Sequence, residues 1–307
     1  MNRRIITLLG VWLVWHGLAA ACPVPVYQYA LEHWPTDPYR VHVDHVATLT
    51  DDQRDALRFL RRASDHDGMV VNMVLTTRGD AETTRLVVRY PEAVNHRDPI
   101  WAGALSMENA RALVASPVRE QVGNALAGRT SAVWLIVESG DRQRDREVEA
   151  VLRRQLTKVE RETYIPETAE WGGQRVTLDA NVNFTILRVR RDDPAERMLI
   201  PMLMASEPDL DREFAGEPMV FPIFGRGLIL YALVGRGVNA WTIAEAAKFL
   251  TGPCSCQVKA LNPGTDLLIR LDWDSRVHPL SPATVGETVG TGSFLRQFDR
   301  SKTDEGP

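Results

Sequence analysis

Cys254-Ser255-Cys256 brings two thiols within one residue of each other, directly after Gly252-Pro253. Three kinds of chemistry fit that spacing. A disulfide closed between the two would form a small ring, because extended residues two apart reach only the upper end of disulfide geometry, about 6.8 Å between Cα atoms. Such a bond is strained and easily reduced, which suits thiol exchange. Two thiolates also suit a soft metal such as Cu(I) or Zn, although zinc needs further ligands and no other Cys or His stands close in sequence. The third possibility is a structural disulfide, either local or reaching Cys22. The chain has three cysteines, so the fate of Cys22 decides the arithmetic. If Cys22 is modified otherwise, Cys254 and Cys256 are an even pair; if it is not, one thiol is left over or pairs between chains.

The other reactive side chains carry less. In His42-Val43-Asp44-His45, strand alternation sets His42 and Asp44 on one face and His45 on the other. A metal or acid–base role fits, but so does the polar face of a half-exposed sheet. Ser139 precedes Gly140 without the Gly-x-Ser-x-Gly elbow of hydrolases. Gly225-Arg226-Gly227 lacks a phosphate-loop pattern and reads as a hairpin turn. The charge-rich stretch 141–154 reads as a solvated helix face. No cofactor or complete metal site is expected, and no motif specifies a reaction.

The compartment is easier to read. Arg3 and Arg4 precede an apolar stretch at residues 5–15, and Ala19 and Ala21 supply the small residues of a signal-peptidase site. A spanning helix needs about 20 apolar residues, and His16 and Gly17 interrupt this one. Residues 1–21 therefore read as a cleaved signal peptide, with an uncleaved anchor as the alternative. Leu18-Ala19-Ala20-Ala21-Cys22 resembles the lipobox of bacterial lipoproteins, with Leu displaced to −4 and Ala at −3. That resemblance implies Cys22 as a lipidated mature N-terminus; plain secretion leaves it available for a disulfide. Either way the expected location is the periplasm or cell envelope, with membrane contact only through a Cys22 lipid or a retained leader. The 307 residues are 44% hydrophobic and 25% charged, with a formal net charge of −4. This suits a globular chain of one large or two small domains and gives no general attraction to nucleic acid or anionic lipid.

Hydrophobic patterning divides the mature chain into an α/β unit at 22–128, a second unit at 129–275 and a tail at 276–307 expected to be flexible. In the first, the order is helix-strand-helix-strand-strand-helix, with residues 39–46 alternating as a half-buried strand. In the second, residues 132–137 form an apolar run expected of a strand buried on both faces. A charged helix follows at 145–162, then a loop at 165–181, a strand at 184–189 and a helix from Asp193 to about Ala205 bent by Pro201. Strands at 218–224 and 228–234 flank Gly225-Arg226-Gly227, and Asn239 caps a final helix closed by Gly252-Pro253. A last strand is expected at 266–271.

From Ser131 to Gly252 the order β-α-β-α-β-β-α resembles the thioredoxin fold, and the first unit is a candidate degenerate copy of it. The likeness is carried by Glu217-Pro218-Met219-Val220-Phe221-Pro222-Ile223-Phe224-Gly225-Arg226-Gly227 and by Gly235 ahead of the last helix. It implies that Pro218 occupies the family's cis-proline position, with Pro222 as competitor. The departure is the redox site. Where the family carries Cys-x-x-Cys, this chain reads Glu138-Ser139-Gly140-Asp141-Arg142-Gln143-Arg144-Asp145, so the low-pKa thiolate that drives the family's exchange is absent. The reading that follows is a non-catalytic binding or accessory module acting on an envelope protein partner. The alternatives are a thiol–disulfide oxidoreductase using Cys254 and Cys256, and a soft-metal (copper) binding protein.

Overall fold

The computed structural model describes residues 22–66, 70–94, 98–254, 258–262 and 264–280. The leader, Cys256 and the chain beyond residue 280 lie outside the described residues.

The first helix, α1 (Val26–His33), is buried at seven of its eight positions. In β1 (Tyr39–Asp44) the side chains of Tyr39, Val41 and Val43 point inward, and Arg40, His42 and Asp44 face out. Then α2 (Asp51–Ser64) starts at Thr50, which exchanges hydrogen bonds with Gln53 in a reciprocal capping box. It buries Ala56, Leu57, Leu60 and Ala63, one stripe of a helical period. The strands β2 (Met73–Arg78), β3 (Arg85–Arg89) and β4 (Trp101–Gly103) follow, then the helices α3 (Met107–Val114) and α4 (Pro117–Ala127). Around α2, β1 and β2 pair in parallel; β3 lies antiparallel on the other side of β1, and β4 antiparallel on β3. The order is β2-β1-β3-β4. At three residues, β4 is too short for an alternation pattern to reveal it.

The second half begins with β5 (Ala132–Glu138) and α5 (Arg142–Glu162). Residues 165–181 are not a plain loop: they contain a hairpin of β6 (Thr168–Trp171) and β7 (Gln174–Thr177). Gly172 and Gly173, at φ 58° and 79°, supply the two positive-φ positions that a tight hairpin turn requires. After β8 (Phe184–Arg190), the single bent helix expected to Ala205 is a 3-10 turn, Pro194–Glu196, followed by α6 (Leu199–Met204). Pro201 lies in the first turn of α6, where an N–H would have no intrahelical acceptor, so the break falls ahead of it. The chain continues through α7 (Leu210–Glu213), β9 (Met219–Phe224), β10 (Leu228–Ile229), β11 (Leu233–Val234), α8 (Ala240–Thr251), β12 (Thr265–Asp266) and α9 (Trp273–Arg276). Of the strand expected at 266–271, only Asp266 in β12 and an isolated bridge from Arg270 to Val71 are present.

The second sheet runs β12-β10-β9-β5-β8, with β11 also on β9. β8 is parallel to β5 and β9 antiparallel to it. Both faces of β5 are covered. Val133, Leu135 and Val137 join a core with β1, α2, α3, α4, α6 and the odd positions of β9. Ala132, Trp134 and Ile136 join another with α1, α5 and α8. This explains the unbroken apolar run of β5. It also shows that α1 packs on the second sheet although it precedes the first in sequence.

The β9–β10 turn shows how closely α1 is seated. Gly225 has φ 58°, and a Cβ there would stand 2.8 Å from the Cβ of Ala30. Arg226 Nε, in the same turn, donates to Leu31 O at 2.9 Å. Gly225→Ala combines left-handed strain with a clash against helix backbone and is expected to cost about 2–4 kcal/mol, read as a lowered denaturation midpoint with unchanged slope.

Candidate functional site

The carboxyl ends of the parallel strands β5 and β8 meet the start of α5, at a place lined by charged residues of both signs. Gly140, at φ 91°, turns the chain out of β5. Asp141 caps α5, accepting from Gln143 N at 2.9 Å and Arg144 N at 3.3 Å. These backbone donors hold its carboxyl below the usual carboxylate range, and the Arg144 side chain adds to the effect. One turn on, Asp145 is only 2% exposed. It accepts from both the backbone N and the hydroxyl of Ser139, each at 2.8 Å. Ser139 is thus an anchor of the turn, and Asp145 departs from the expected solvated helix face.

A cavity of about 640 Å³ opens beside this turn. Five arginines line it: Arg142 and Arg146 from α5, Arg188 and Arg190 from β8, and Arg191 just beyond. Their acidic company in the lining is Glu138, Asp145 and Asp192. Arg188 bridges Glu138 at 2.7 Å and Glu149 at 2.6 Å. Desolvation works against its charge, but the two carboxylates outweigh that and hold it above the usual arginine value. Arg191 is held by oxygens and sulfur that carry no full charge: Glu138 O at 3.1 Å, Glu217 O at 2.5 Å and Met204 Sδ at 3.3 Å. Partial burial pulls its pKa below the usual value, and Asp211 and Asp145 offset this only in part.

Pro218 stands just ahead of β9, and its carbonyl accepts from Gly235 N at 2.9 Å. With Gly235 and with Arg144, Glu147 and Val148 of α5, it borders a separate cavity of about 450 Å³. Arg144 joins the walls, reaching Glu217 Oε1 at 3.3 Å and Gly216 O at 3.1 Å. Pro222 is buried inside β9, opposite Trp134.

The cysteines lie elsewhere in the fold. Residues on either side of Pro25 and Pro253 pair antiparallel: Val26 N donates to Gly252 O at 3.0 Å and Cys254 N to Val24 O at 2.8 Å. Cys22 and Cys254 are 3% and 1% exposed and share the core beneath α1, α5 and α8. Cys256, the second member of the sequence pair, lies outside the described residues. On the outer face of the first sheet, His42 Nε2 meets Asp44 Oδ1 at 3.1 Å and Nδ1 meets Thr76 Oγ1 at 2.7 Å. Asp44 also pairs with Arg78 at 3.1 Å, whereas His45 Nδ1 meets Val46 O at 2.9 Å.

Among the described residues no three His, Cys, Asp or Glu side chains converge to hold a metal, and no helix is long and apolar enough to cross a membrane. The fold and site thus define a mixed α/β protein whose charged cleft sits at the ends of two parallel strands. No protein-family model, curated protein or solved structure matches the chain.

Proposed function

We propose that this chain is an exported envelope protein that serves as a non-catalytic binding or accessory module on a thioredoxin-like frame. The strand order β8-β5-β9-β10 supports the frame, with α5 and α8 together on one face and Pro218 beside the first turns of α5. The first sheet has the same parallel and antiparallel relations in the order β2-β1-β3-β4 but no helix between β2 and β3. That supports its reading as a degenerate copy. The observation that carries the non-catalytic reading is the start of α5, where Ser139, Asp141 and Asp145 form a hydrogen-bonded anchor in place of a reactive thiol. Export rests on the leader, and the partner class is an envelope protein.

The oxidoreductase alternative needs an accessible thiolate, and Cys254 at 1% exposure is a poor one. The copper alternative has the same difficulty. Burial of Cys22 likewise favours a seated side chain over a lipid-bearing one, since a thioether-linked lipid would have to leave the core. The expected result is that the purified mature protein reduces insulin no faster than the buffer, with Cys254 reached by reductant or alkylating agent only on unfolding. Reductase turnover that disappears in Cys254→Ser would overturn this reading. An intact mass carrying a diacylglyceryl group on Cys22 would establish the lipid anchor.

A further inference from the structure

We infer that the arginine-lined cavity between β5, β8 and the start of α5 is a binding site for a small molecule carrying at least two anionic groups. The inference does not depend on the thioredoxin-like reading, because it uses only the cavity and the side chains around it. Its volume of about 640 Å³ falls within the range of small-ligand sites, roughly 300–1,000 Å³.

The charges there are out of balance in one direction, in a chain whose net charge is −4. Arg188 is neutralised by Glu138 and Glu149. Asp145 accepts only from the neutral Ser139 among the described residues and so still counts against the arginines, and Asp192 pairs with Arg190 at 3.2 Å. Arg142 and Arg146 make no ion pair among the described residues. They stand one turn apart on one face of α5, where like charges repel. Arg191, in the same lining, is fixed by two carbonyls and a thioether, with Asp211 and Asp145 acting on it only without direct contact. The helix end does not supply the argument, since Asp141 already occupies its first amides. The guanidinium groups do: the planar forks of Arg142 and Arg146 match carboxylate and phosphate oxygens in a two-point grip, and Arg191, whose three nitrogens already donate within the protein, adds a fixed positive charge. Two open forks beside a third fixed cation select a multivalent anion over a single one.

Pyrophosphate and citrate represent the phosphate and carboxylate sources of that chemistry. Calorimetric titration of the mature protein with each, at constant ionic strength, is expected to give saturable one-to-one binding. The tighter of the two identifies the source. Arg142→Ala/Arg146→Ala, both exposed positions, should weaken it at least tenfold while leaving the melting temperature within a few degrees. Arg154→Ala/Arg161→Ala removes two arginines from another groove on the same helix and should leave binding unchanged. Absence of saturable binding by either anion would overturn the inference, as would equal loss in both double variants, which would mean diffuse attraction to a basic helix. Insulin reduction by the same samples is a separate readout, so failure here is distinguishable from failure of the non-catalytic reading.

Discussion

Arg119→Met is expected to destabilise the protein by about 3–5 kcal/mol, because one buried guanidinium ties the junction of α3 and α4 to Leu268, 149 residues further along the chain. Arg119 is 2% exposed. Its Nη2 donates to Ala112 O at 2.7 Å, and its Nη1 to Leu113 O at 2.9 Å and Leu268 O at 2.8 Å. Its Nε donates to Ser116 Oγ at 3.1 Å, the hydroxyl that also caps α4. Ala112 and Leu113 end α3, where carbonyls have no intrahelical donor, so the guanidinium completes that terminus and favours its dipole. Burial lowers the arginine's pKa to about 10, with Glu196 opposing the shift, so the group remains charged at neutral pH. Methionine removes the cost of burying that charge but orphans two buried carbonyls, at about 1–3 kcal/mol each, and the part-buried carbonyl of Ala112. Arg119→Lys separates hydrogen bonding from charge: it keeps the cation, lacks the planar fork and should still lose about 2 kcal/mol or more. Urea unfolding of the three proteins measures this. A lysine variant as stable as wild type would mean that the charge, not the fork, is what matters.

Arg119 also marks what could be read from the sequence. α4 was visible from Ser116-Pro117, and so was the long helix from its apolar stripe, because caps and periodicity are local. The bonds from Arg119 to Leu268 O and from Ile269 N to Asn72 Oδ1 (2.8 Å) join residues that no periodicity relates. The same limit hid the cavity. Arg142 and Arg146 look like a solvated face, and Arg188 to Arg191 like the polar end of a strand. They become neighbours only because β5 and β8 pair in parallel with Glu138 opposite Arg190. Asp145 is hidden from a reading of charge alone because four charged residues in a row suggest solvent, whereas Ser139, two residues ahead of Asp141, folds back to bury one of them. The Gly172-Gly173 turn was legible in principle. Its strands are four residues each, mostly polar, and carry too little alternation to identify them. Cys254-Ser255-Cys256 was conspicuous for chemistry that requires access, and accessibility is a property of packing that spacing does not report.

Asp266 should make the protein lose stability as pH rises from about 4 to 6, and Asp266→Asn should remove that component. The carboxylate is buried, accepts from Asp37 N at 2.6 Å and pairs closely with Lys259. Lys259 is shared with Asp37 at 3.0 Å and Pro35 O at 2.6 Å. Burial raises the Asp266 pKa from 3.8 to about 6, with Lys259 opposing the shift. Between those values the folded state binds the proton more tightly than the unfolded chain. Stability from this group is therefore complete below pH 3.8 and is lost as pH rises through 6. The change is on the order of 2–3 kcal/mol, at about 1.4 kcal/mol per unit. Asparagine cannot titrate and keeps an oxygen for Asp37 N, so the wild-type advantage at pH 4 should shrink by that amount at pH 7. Asp266→Ala should be the less stable variant at every pH, because it leaves Asp37 N without its acceptor and removes one partner from the Lys259 ammonium. Guanidinium unfolding of all three proteins at pH 4, 5, 6 and 7 tests the sign. If the wild-type and asparagine curves run parallel across this range, Asp266 does not titrate there and burial does not govern it. If the wild type instead gains on the asparagine variant as pH rises, Lys259 outweighs burial and the pair is a net stabilising contact at neutral pH.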